Sequence, residues 1–176
     1  NTAAGVLGST DGGSLAPLSY AFSTSSTLRI TSNAVGATAS PKWQTATVDV
    51  GVANYRVELT LPAIVNQGGL IVRSSAPGVG FWFATSGGSY YLQWHPNATN
   101  DVGAVNLAPA IAAGVPGDTI RIDCFDDKFW LWRNGVLLHS ASTPYVSTNN
   151  QTATRVGLWW NDPASASALN DLKVYE

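Results

Sequence analysis

Gly117-Asp-Thr-Ile-Arg-Ile-Asp-Cys-Phe-Asp-Asp-Lys-Phe-Trp-Leu-Trp-Arg-Asn-Gly135 decides the fold. Ile120, Ile122 and Cys124 alternate with Arg121 and Asp123, the period-two pattern of a strand with one dry and one wet face. Asp126-Asp127 separates this run from the next by two residues, which reads as a tight hairpin. Phe129 and Leu131 then alternate with Trp130 and Trp132. Asn134-Gly135 closes the stretch with a stronger turn signal, because a type I′ turn needs positive φ at both central residues. Hairpins with one apolar face each must stack that face against another layer.

The same alternation runs outward in both directions. Tyr55, Val57, Leu59 and Leu61 alternate with Arg56, Glu58 and Thr60. Further strands are expected over 28–31, 46–50, 70–75, 81–86, 90–95, 136–140, 154–160 and 169–175. Ser86-Gly87-Gly88-Ser89 reads as a hairpin tip, and Ala76-Pro77-Gly78 and Ala113 to Gly117 read as loops. The nearest approach to a helical pattern, Val105 to Val115, is broken by Pro109 and Gly114. About ten strands joined by such turns specify an all-β, two-sheet antiparallel sandwich or a barrel. Residues 1–19 are rich in Gly, Ser and Thr and read as an arm or first edge strand, with one domain over 20–176. With Asn1 at its start and no Met, the chain is expected to be processed or part of something longer.

Composition narrows the function classes. Of 176 residues, 45% are hydrophobic and 11% charged, with a net charge of −2. That charged fraction is less than half the usual ~25%. Disorder is excluded, because this much apolar side chain can bury itself. No apolar run reaches the length of a spanning helix, so membrane insertion is not expected. Nothing is basic enough to bind nucleic acid by counterion release. The lone Cys124 lies in an alternating apolar run and reads as a small buried hydrophobe.

The order of elements resembles a known family. Tyr55-Arg-Val-Glu-Leu-Thr-Leu61 is followed by Gly69-Leu-Ile-Val-Arg-Ser74, Phe81-Trp-Phe83 and Tyr91-Leu-Gln-Trp94. Then come Gly117-Asp-Thr-Ile-Arg-Ile122, Phe129-Trp-Leu-Trp-Arg-Asn-Gly135, Arg155-Val-Gly-Leu158 and Leu169-Asn-Asp-Leu-Lys-Val174. Across about 20–176 this is similar to the concanavalin A-like, laminin-G-like jelly rolls. The nearest likeness is to single-domain versions in phage tail and fibre proteins and in secreted bacterial glycan-handling proteins. The resemblance implies a jelly-roll sandwich with one concave sheet. It also implies glycan or protein binding, sometimes hydrolysis, and a virion or extracellular location.

Hydrolysis can be tested on the residues present. A glycosidase needs two carboxylates flanking the scissile bond, and the laminarinase-type relatives carry a Glu-x-Asp-x-x-Glu strand. Here the only glutamates are Glu58 and Glu176. No Glu-x-Asp exists, and Asp126 and Asp127 sit where a turn wants Asp. His95 and His139 lack a nucleophile at suitable spacing and read as satisfied edge residues. Together with Cys124 they show no zinc spacing. No cofactor is expected, apart from a possible structural calcium of the kind relatives hold at the sandwich rim. Asn100-Asp101 and Asn161-Asp162 are loop pairs that suit it.

The aromatics are the anomaly, with seven Trp. Trp130 and Trp132 fall on the face opposite Phe129 and Leu131, beside Arg121 and Asp123 of the neighbouring strand. Trp82 falls opposite Phe81 and Phe83, and Tyr91 and Gln93 share a face of their strand. Aromatic rings stack on the C–H face of a sugar, and planar polar groups hold its hydroxyls. The expected ligand site is therefore Trp130, Trp132, Arg121, Asp123, Trp82, Tyr91 and Gln93. Its expected partner is a glycan or host cell-surface polysaccharide. The alternative placement of these rings is the core or an interface with other virion or fibre subunits, where aromatics are also enriched.

Overall fold

The computed structural model describes residues 5–6, 21–22, 28–31, 34–37, 44–61, 67–97, 102–108, 111–139, 143–160 and 170–175. Two antiparallel sheets form a sandwich, and no helix occurs among these residues. The first sheet has six strands on its path or beside it. These are β6 (Tyr55–Leu61), β11 (Asp118–Phe125), β12 (Lys128–Arg133), β13 (Val136–Leu137), β14 (Tyr145–Val146) and β16 (Asn170–Tyr175). Its order is β13-β12-β11-β6-β16, with β14 paired to β12.

The second sheet has seven strands. They are β2 (Ala21–Phe22), β5 (Gln44–Asp49), β7 (Gln67–Ala76), β8 (Val79–Ser86), β9 (Ser89–His95), β10 (Val105–Ala108) and β15 (Arg155–Trp160). Their order is β10-β9-β8-β7-β15-β5-β2. A small third sheet joins β1 (Gly5–Val6), β3 (Leu28–Thr31) and β4 (Ala34–Ala37).

The inner faces of the two large sheets make one core. Tyr55, Val57, Leu59, Leu61, Ile120, Ile122, Cys124, Phe129 and Leu131 meet Leu70, Val72, Phe81, Phe83, Leu92, Val156, Leu158 and Trp160. Phe81 and Phe129 touch across the sandwich with ring centres 4.5 Å apart. Cys124 is buried in this core, which pushes its thiol pKa up to about 12. It is the inert hydrophobe its sequence context suggested.

The turns follow their sequences. Asn134 and Gly135 both have positive φ (50° and 77°), as do Gly87 and Gly88 at the β8–β9 tip. Asp126 takes φ 50° in the β11–β12 hairpin. The Asn134 side chain also accepts the Thr119 N–H at 2.8 Å, so the turn is tied to the neighbouring strand.

The short strands β2, β4, β10 and β14 were not expected from the sequence, and one expected strand is shorter. Val105–Ala108 is an edge strand on β9, although its surroundings gave the most helical pattern in the chain. The expected strand 136–140 stops at Leu137, and His139 turns in. Its Nε2 accepts the Leu131 N–H at 3.1 Å, and its ring meets Tyr145 edge-on.

Candidate functional site

The outer face of the β6–β11–β12 sheet gathers four of the expected residues. Register pairs Arg121 with Trp132 and Asp123 with Trp130 on one side of β11. On the other side it pairs Arg121 with Glu58 and Asp123 with Arg56. Alternation keeps all six side chains off the core. Trp130 and Trp132 are half-buried, so each ring keeps solvent contact.

Charge organises this face. Arg56 Nε donates to Asp123 Oδ1 at 2.9 Å. Arg121 Nη2 donates to Asp123 Oδ2 at 3.1 Å, with its Nε 3.1 Å from Oδ1. The same guanidinium lies 4.0 Å above the Trp132 ring. Exposed ion pairs are worth about 0–1 kcal/mol each and cation–π contacts about 0.5–1, so this row orients side chains more than it stabilises the fold.

The row also decides what each ring can do. One face of Trp132 is covered by Arg121, and its neighbour on β13 is Leu137. Its indole Nε1 is buried, with no hydrogen-bond partner among the described residues. Trp130 lies opposite Asp123 in the β11–β12 register. Asp123 accepts guanidinium N–H groups on both oxygens, which fixes the carboxylate's orientation beside the rings.

Phe125 was not among the expected site residues. It continues the Arg121–Asp123 parity at the end of β11 and is 56% exposed. It pairs with Lys128, which pairs in turn with Val146, itself 55% exposed. The apolar part of this face therefore extends from the tryptophans toward the Asp126 turn. Period-two counting from Asp123 was the available signal. Arg56 was missed for a different reason, because the adjacency of β6 and β11 is a long-range pairing that no local pattern reveals.

Trp82, Tyr91 and Gln93 do not join this site. They lie on the outer face of the other sheet. Trp82 does turn away from Phe81 and Phe83, but it is fully buried, with Ile71, Ala84 and Trp159. Its ring stacks on His95 with centres 3.3 Å apart and on Trp159 at 4.5 Å. Glycines make this possible. Gly80 stands opposite His95 and Gly69 opposite Trp159, so both rings can lie across strands that offer no side chain.

Gln93 Oε1 sits 2.8 Å from His95 Nε2. Tyr91 is half-buried and meets Trp159 edge-on. Burial lowers the His95 pKa to about 3, so this imidazole is neutral and structural. Outward alternation thus does not guarantee solvent. Trp82, Ile71, Ala84 and Trp159 form a second buried cluster on this face.

Asp118, which opens β11, holds a separate network. It accepts from Tyr90 Oη at 2.7 Å, the Val115 N–H at 2.8 Å and Asn134 Nδ2 at 2.7 Å. Burial pulls its pKa upward, but these donors and the charge of Arg133 outweigh it, and the carboxyl falls below its ordinary value. Both loop pairs named for calcium, Asn100-Asp101 and Asn161-Asp162, lie outside the described residues. Among the described residues, no three His, Cys, Asp or Glu side chains converge as a metal site.

No family model matches the chain, and no curated protein is significantly similar to it. Solved structures are similar at the level of fold. The carbohydrate-binding module CBM66 from Bacillus subtilis aligns over 90% of this chain and 92% of its own, with TM-score 0.53 and 10% identity. Domain 4 of AbnA, a GH43 extracellular arabinanase from Geobacillus stearothermophilus seen with arabinotriose, covers 90% and 75%, with TM-score 0.44 and 12% identity. A botulinum neurotoxin type C structure, from work on its dependence on two ganglioside molecules for cell entry, covers 98% and 47%, with TM-score 0.45 and 9% identity. At 10% identity the feature shared with the CBM66 module is the β-sandwich itself.

Proposed function

We propose that the chain is a non-catalytic carbohydrate-binding module that uses the outer face of the β6–β11–β12 sheet. One observation carries this reading. Trp130 and Trp132 keep solvent contact beside a fixed Arg56–Asp123–Arg121 row. Trp130 is the stacking platform, since Trp132 already carries Arg121 on one ring face. Asp123 and the guanidinium edges then meet the hydroxyls of a sugar lying on Trp130. The sandwich shared with the carbohydrate-binding module CBM66 supports the class. The absence of a Glu-x-Asp-x-x-Glu strand supports a non-catalytic role.

The parent context we propose is a phage tail or fibre, or a secreted protein, binding a host-surface glycan. The support is the family resemblance together with a neutral, Ser/Thr/Asn-rich surface. A glycan array tests the binding: Trp130→Ala abolishes capture with an unchanged unfolding transition. Capture that survives the substitution removes this site.

A second reading is a structural one, in which the same face docks another virion or fibre subunit. The exposed Phe125 and Val146 at the end of the face favour it. Light scattering after size-exclusion separates the two: a monomer that binds glycan supports the first reading, and an oligomer dissociated by Phe125→Ser supports the second.

A further inference from the structure

At the Asp126 end of the sandwich an open cleft of ≈ 580 Å³ lies between three loops. It is lined by Gly51 and Asn54 of the β5–β6 loop, Asp126 of the β11–β12 turn, and Gln151, Thr152 and Thr154 before β15. Volumes of this order suit small molecules. No aromatic ring lines it, which separates it chemically from the tryptophan face.

The cleft floor is fixed from beneath. Arg73 is fully buried in a bulge of β7, at φ 47°, a backbone region that a side-chain-bearing residue occupies only under constraint. Its guanidinium donates to the Asp126 carbonyl and to Asn54 Oδ1 (3.4 Å), and lies over Phe129 at 5.3 Å. Asn54 Oδ1 also accepts the Asp126 N–H at 2.9 Å. Asn150 Nδ2 donates to the Arg73 carbonyl, and Asp49 Oδ1 accepts from Gly51 N–H and from Thr154 Oγ1 at 2.6 Å. All three loops are thereby tied to one another. Among the described residues no carboxylate pairs with Arg73, and its Nε has no hydrogen-bond partner.

Electrostatics then select the ligand. A buried, unpaired guanidinium under the floor disfavours a metal cation. The Asp126 carboxylate at the rim disfavours an anion. A neutral ligand remains, and amide, hydroxyl and carboxylate groups that both donate and accept suit vicinal hydroxyls. We propose that this cleft is a second sugar site for a neutral sugar, with Asp126, Asn54, Gln151 and Thr152 as its hydrogen-bonding groups. Arg73 is a positioning residue beneath it. The proposal stands independently of the tryptophan-face reading.

The test is an amide-resolved NMR titration of the full chain with the methyl glycosides of glucose, galactose, mannose and arabinose, and with calcium chloride as a separate arm. At least one glycoside should shift the Gly51, Asn54, Gln151 and Thr152 amides. The Gln151→Ala/Thr152→Ala double variant, which leaves the Arg73 network intact, should lower that affinity roughly tenfold. Trp130→Ala should leave it unchanged. Shifts confined to β12, no shift with any glycoside, an unaltered affinity in the double variant, or a response of these amides to calcium alone would each overturn the proposal.

Discussion

Two tryptophan-bearing faces look alike in sequence and differ in the folded chain. Phe81-Trp82-Phe83 and Phe129-Trp130-Leu131-Trp132 both alternate core residues with outward Trp. Trp82 is sealed between His95 and Trp159, whereas Trp130 and Trp132 keep solvent contact. The cross-strand company differs. Around Trp82 stand Gly80, Ala84, Ile71, Gln93 and Gly69, which carry no charge. Around Trp130 and Trp132 stand Lys128, Asp123, Arg121, Arg56 and Glu58. A charged neighbourhood is costly to bury, so the first face can be sealed while the second keeps solvent contact.

The largest test of this contrast is stability. Trp82→Ala should cost about 3–5 kcal/mol, as truncation of a buried aromatic does. Trp130→Ala should cost less than about 1 kcal/mol, as an outward position does. Denaturant unfolding of the two variants checks both. Equal losses would mean that the two faces are equally buried.

Acid should sharpen the difference next. His95 has a folded pKa of about 3 against an ordinary 6.5, so the folded state resists protonation that the unfolded chain accepts. Its contribution is complete above pH 6.5 and is lost as pH falls toward 3. By pH 4.5 the loss should reach about 2–3 kcal/mol. Asp118 and Asp49 have lowered pKa values, so their contributions are present above the ordinary 3.8 and disappear only below it. The part of the change in unfolding midpoint between pH 7 and 4.5 that His95→Gln removes reports His95. A flat profile there, or one unchanged in His95→Gln, would contradict the sealed-face description.

A smaller effect distinguishes the open face. Arg121→Ala removes the cap from Trp132 and one partner of Asp123, and should cost only about 1 kcal/mol or less. It should leave the Trp132 ring more accessible to acrylamide quenching. A loss several times larger would mean that the row supports the fold rather than the face.

The sandwich itself was legible because its turns are written locally. Asn134-Gly135 and Gly87-Gly88 both adopt the positive φ their types require. Alternation also assigned Trp130, Trp132, Arg121 and Asp123 to one wet face. The fate of Trp82 was not legible from its own strand. It depends on Gly69 and Trp159, brought beside it from β7 and β15. A Cβ on Gly157 would collide with the Ala46 carbonyl, so β15 meets β5 closely only because that side chain is missing. The short edge strand Val105–Ala108 escaped for a related reason. Four residues carry too little periodicity, and pairing with β9 supplies what their pattern lacks.

The central claim is that the open face, and not the sealed one, meets glycan. The direct measurement is glycan-array capture of the unaltered chain beside Trp130→Ala, with unfolding curves run on both. The account predicts binding by the first, none by the second, and transitions that agree to within about 1 kcal/mol. Equal capture by both proteins, or no capture of any glycan by the unaltered chain, would contradict it.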